Sequence, residues 1–132
     1  IAPCPAPLRD TMLKNLSVVE GMDLRALMQG VDWRFESFDQ YMDQLRNIRP
    51  HINTAVFTGH SVIRTAVMGE EASEREQASP EQLASMCEQV RQAMNAGAIG
   101  FASSFSPNHS GHGSWDGGAC FEHQVSTQLH EY

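Results

Sequence analysis

The sequence predicts an α/β fold in which two neighbouring parallel strands are joined through a helix. Three observations carry that expectation. A run rich in β-branched and aromatic residues, "HINTAVFTG" at 51–59, closes on Gly59. A capped amphipathic stretch runs from Ser79 to Gly97, and a small-residue apolar run, "AIGFASS", stands directly behind it. Strand, helix, strand with short links is a crossover unit, which places parallel strands near 51–59 and 98–103 side by side.

The elements follow in order. "IAPCPAP" holds three prolines in seven residues, which forbids a helical ladder and predicts an extended linker. The chain opens there without an initiator methionine, and we expect it to be cut from something longer. From Arg9 to about Val19, Met12, Leu13 and Leu16 fall at helical spacing, and Gly21 stops the run. Asp23 caps a short second helix that ends at Gly30. Ser37 caps a third, with Phe38, Tyr41, Met42 and Leu45 as its buried stripe, and Pro50 bars continuation. After the first strand, "HSVIRTAVMG" reads as a short helical or turn segment. The clearest helix has Ser79 as cap, Pro80 in the first position and Gln82 completing a capping box. Its apolar face is expected to be Leu83, Met86, Cys87, Val90 and Met94, and Gly97 supplies the stop.

Composition bounds the function. At 132 residues, 41% hydrophobic and 19% charged, the chain suits one globular domain with a real core. A net charge of −7 without any Lys/Arg cluster excludes a nucleic-acid surface, and no apolar run is long enough to span a bilayer. Three cysteines, Cys4, Cys87 and Cys120, without a C-x-x-C pair, fit a reducing, cytoplasmic setting.

In parallel α/β folds, ligands gather at the carboxyl ends of the strands. Gly59-His60-Ser61 closes the first strand and Ser103 to Gly113 follows the second, so the two loops are expected to share one face. His60, Ser61, Ser103, Ser104 and His109 are therefore the substrate-pocket candidates. His60 has a second reading, as a histidine that ties down its own loop, and Arg64 reads as one half of a structural ion pair. The tail offers an alternative of another class. His109, His112, Cys120 and His123 could close a tetrahedral zinc site in a small non-enzymatic binding module, although the spacing matches no common finger. No phosphate-binding glycine loop, nucleophile elbow or paired-carboxylate motif is present.

Taken in order, "IAPCPAPLRDTM", "VEGMDLRAL", "VDWRFESFDQYMDQL", "NTAVFTGHSVIRTAVMG" and "NAGAIGFASSFSPNHSG" resemble the N-acyl-D-amino-acid deacylases, the D-aminoacylase branch of the metal-dependent amidohydrolases. The tract from Asn53 to Gly69 is the most specific part. The resemblance implies that residues 1–113 are the central part of a (β/α)8 TIM-type barrel, present here as an incomplete fragment. It implies a hydrolase in which zinc activates water against the amide of a small N-acyl-D-amino acid. The metal ligands of that family are an early His-x-His pair, a cysteine in a Gly-Asn-Cys-Gly turn, later histidines and a late aspartate. None maps onto this chain, and Cys4 is not that cysteine. The resemblance thus leaves this stretch with pocket residues only, no catalytic group and no zinc of its own, the ion belonging to the full-length enzyme. Phe105 stands where relatives carry a polar or basic side chain, which weakens a carboxylate-binding role there. After "HSGHG" the likeness stops, and 114–132, "SWDGGACFEHQVSTQLHEY", is expected to be a divergent or frame-shifted irregular tail.

Overall fold

The computed structural model describes residues 1–73 and 77–103. Within them the order is α1 (Arg9–Glu20), α2 (Leu24–Gly30), α3 (Phe38–Ile48), β1 (Phe57–Gly59), α4 (His60–Met68), α5 (Pro80–Ala96) and β2 (Gly100–Ala102). Short 3-10 turns precede α1 and follow α4. The described chain is thus α/β, with β1 and β2 paired in parallel. Whether further strands close a barrel with them lies beyond the described residues, as does the expected boundary at 113.

Local chemistry sets the helix ends. Asp23 accepts the Ala26 amide at 2.9 Å, which opens α2. At α3 the Gln40 Oε1 reaches back to the amides of Glu36 and Ser37, at 2.8 and 3.3 Å. At α5 the box is reciprocal: Ser79 Oγ accepts from Gln82 N at 3.2 Å, and Gln82 Oε1 accepts from Ser79 N at 2.8 Å. Gly97, at φ +107°, turns the chain out of α5 in the left-handed region, where a side chain would be strained.

Two strands are shorter than their sequence runs. The ladder registers Phe57 with Gly100, Thr58 with Phe101 and Gly59 with Ala102, preceded by an Ile99 N to Val56 O bond of 2.9 Å. It cannot extend towards 51, because the Ala98 amide is still engaged by the end of α5, donating to Ala93 O at 3.0 Å. Residues 51–55 therefore have no partner strand among the described residues, and Ile52, expected to be buried, is 76% exposed. "HSVIRTAVM", in contrast, forms a full nine-residue helix, α4.

The sheet is covered on one side. Thr58 and Phe101 face α4 and α5, where Ile63, Met68, Ala72 and Met86 form a buried cluster with Phe101 packed against it. Phe57 and Gly100 share the opposite face, and Phe57 is largely exposed there. Its ring lies across Gly100 so closely that a Cβ built at that glycine would stand 3.0 Å from it.

A second cluster joins Ala2, Cys4, Met12, Phe35 and Phe38 to Ala93 and Ala98. It corrects the reading of 1–7 as a linker. Ala2 and Cys4 are in the core, and the Cys4 amide donates to Glu36 O at 2.7 Å. Prolines forbid a helix but say nothing of burial, and the small side chains between them fit under Phe35 and Phe38. On α5 the inward position is Ala93 rather than the expected Met94, which is nearly half exposed.

Candidate functional site

The parallel register places Gly59 beside Ala102, so the segments that follow both strands leave from the same end of the sheet. Of the pocket candidates, His60 and Ser61 open α4 and Ser103 follows β2. Ser104 and His109 lie outside the described residues, as do His112, Cys120 and His123 of the alternative zinc tail. Ser61 and Ser103 are exposed, at the rim of this end.

His60 is not at the rim. It is 2% exposed, in the layer between sheet and helices, with its ring centroid 6.1 Å from that of Phe101. Among the described residues neither ring nitrogen has a hydrogen-bond partner, and the fully buried Thr58 Oγ1, two residues earlier, has none either. Burial strips water from the imidazolium, and the Arg64 guanidinium one turn along α4 repels it; together they push the His60 pKa down to about 4. The imidazole is therefore neutral at physiological pH, able to donate at one nitrogen and accept at the other.

Arg64 is also buried, and its Nε donates to Ala72 O at 3.1 Å, tying the turn after α4 back to the helix. Thr65 Oγ1 donates to Ser61 O at 2.9 Å. Thr58, His60, Arg64 and Thr65 thus place a polar patch in an otherwise apolar layer. Sequence reasoning found His60 through Gly59 and the strand end. It missed Thr58, whose only signal is its alternation with the exposed Phe57.

Among the described residues, no three His, Cys, Asp or Glu side chains group closely enough to hold a metal. A cleft of about 500 Å3 lies elsewhere, along α3, lined by Asp32, Arg34, Gln40, Asp43, Gln44 and Ile48 among others, and it shares no residue with the strand ends. No described helix is long and apolar enough to cross a membrane.

Over 79 residues the chain is 38% identical to the D-aminoacylase of Alcaligenes xylosoxydans xylosoxydans. The match takes in 60% of this chain but only 16% of that enzyme's length. No protein-family profile matches the chain, and no solved structure matches it significantly. The likeness to that D-aminoacylase holds over a segment, and the chain spans about a sixth of its length.

Proposed function

We propose that the chain is a segment of a metal-dependent amidohydrolase that hydrolyses the amide bond of N-acyl-D-amino acids. The observation that carries this reading is the 38% identity to a D-aminoacylase over 79 residues. The parallel strands, with both following segments at one end, are the arrangement such a pocket needs. On this reading the chain supplies pocket wall, and zinc is held by other parts of the longer protein. His60 is the inner hydrogen-bonding group and Ser61 and Ser103 stand at the rim; Ser104 and His109 are the further candidates whose hydroxyl and imidazole groups would meet a polar substrate. The setting is a reducing cytoplasm, consistent with Cys4 and Cys87 as free thiols.

The test uses a full-length D-aminoacylase carrying these loops. Substituting the residue equivalent to His60 by alanine lowers turnover by about one to three orders of magnitude, the range for positioning or proton-transfer groups, while zinc content stays unchanged. Loss of zinc would make the histidine a ligand instead. Unchanged kinetics would leave it a packing residue. The 132-residue chain alone is expected to show no deacylase activity with zinc supplied.

A further inference from the structure

We propose that Thr58 is a positioning residue for His60: its hydroxyl donates to one imidazole nitrogen and so leaves the N–H of the other to face an acceptor oxygen of the substrate. The proposal rests on the reading of His60 as a pocket group.

The two side chains are neighbours in the fold. Thr58 lies in β1 and is registered with Phe101 of β2, and the Phe101 ring in turn stands 6.1 Å from that of His60, centroid to centroid. Both residues are buried, at 0% and 2% exposure. Thr58 Oγ1, His60 Nδ1 and His60 Nε2 all lack a partner among the described residues. The other polar side chains of the layer are engaged elsewhere, Arg64 Nε with Ala72 O at 3.1 Å and Thr65 Oγ1 with Ser61 O at 2.9 Å. Thr65 finds its acceptor one turn back along its own helix, an option closed to a threonine in a strand. Ile63, Met68 and Met86 pack there too and offer no donor. A buried hydroxyl left open costs stability, and a strand position governed by packing alone would suit valine better.

The valences of the pair complement one another. Above its ordinary pKa an imidazole has one N–H and one lone pair, and a hydroxyl has one proton to donate. The hydrogen bond made by one ring nitrogen fixes which nitrogen carries the proton. With the lone pair accepting from Thr58, the N–H is the group left for a ligand, and an N-acyl amino acid brings carbonyl and carboxylate oxygens, which accept. In the structure the two side chains are not bonded to each other, so the bond forms as the imidazole commits its N–H to substrate.

The test is kinetic, in a full-length D-aminoacylase with threonine and histidine at these two positions. Thr58→Val keeps the shape and removes the hydroxyl, whereas Thr58→Ser keeps the hydroxyl. The expected result is kcat/KM lowered about five- to tenfold in Thr58→Val and close to the parent in Thr58→Ser. The urea midpoint of Thr58→Val should be no lower than the parent's, which separates this role from a structural one. Unchanged kcat/KM in Thr58→Val overturns the proposal. So does an equal loss in both variants, or a loss that comes with a lowered midpoint. Should Thr58→Val not fold, Thr58→Ala is compared with Thr58→Ser, both having lost the methyl group. A lower kcat/KM in the alanine variant alone then supports the proposal, and equal values overturn it. His60→Ala keeps the two readings apart. A loss there with none in Thr58→Val overturns only the role of Thr58, while no loss at His60 removes the pocket reading and this proposal with it.

Discussion

The two buried clusters of this chain are built from different materials. The cluster around α1 and α3 is aromatic and apolar, with Phe35 tilted against Trp33 and edge-on to Tyr41 at centroid distances of 5.4 and 5.0 Å, and small residues 2 and 4 filled in beneath. The cluster between the strands and α4 and α5 buries Thr58, His60, Arg64 and Thr65 beside its methionines and isoleucine. Packing alone explains the first. The second carries polar groups at a desolvation cost that packing does not require, and it does so at the strand ends where parallel folds do their chemistry. The contrast teaches where to look: the first region is accounted for by packing, and the second buries polar groups that packing does not require.

The largest expected effect lies in the aromatic region. Phe38→Ala opens a cavity beneath Tyr41 and lowers unfolding free energy by about 3–5 kcal/mol, measured by urea titration. A loss below about 1 kcal/mol would show that this cluster is loosely packed and erase the contrast.

Next comes pH. The folded chain protonates His60 only near pH 4, whereas the unfolded chain does so near 6.5, so between those values the unfolded state takes up more protons. The contribution of His60 is full above about pH 6.5 and is lost as pH falls towards 4, by up to about 3 kcal/mol. Urea midpoints at both pH values should show that drop in the parent and a smaller one in His60→Leu. Equal drops in the two would assign the acid sensitivity elsewhere.

The smallest effect separates two threonines. Thr58 Oγ1 is buried without a partner among the described residues, so Thr58→Val should be neutral or stabilising by about 1 kcal/mol. Thr65 Oγ1 has its bond to Ser61 O, so Thr65→Val should lose about 1 kcal/mol. A loss at Thr58 matching that at Thr65 would mean that its hydroxyl is engaged.

How far these regions were legible in the sequence depends on how local each signal is. Asp23, Ser79, Gln82 and Gly97 mark helix ends because capping is settled within four residues, and all four act as expected. The pairing of parallel strands also followed from the order of elements. The length of β1 did not, because a ladder extends only as far as its partner, and the partner is still finishing α5 at Ala98. Met94 was misplaced for a similar reason. A helix face half-covered by neighbours can rotate its apolar stripe by one residue, and Ala93 fits the close approach where methionine would not. At the site, Gly59 announced a strand end. Only tertiary packing puts His60 against Phe101 and beside a buried arginine rather than at the mouth.

The ring of Phe57 over Gly100 has a consequence for the clock of backbone opening. A glycine in a strand leaves its own peptide groups uncovered, and here the aromatic ring across the ladder roofs them instead. With that roof in place, the β1–β2 hydrogen bonds are sheltered on a face that no other described element covers. Taking the ring away would leave the ladder's bonds in place but admit solvent to them. Deuterium would then enter the amides of residues 100–102 sooner in Phe57→Ala than in the parent, while the amides inside α5 would keep their pace.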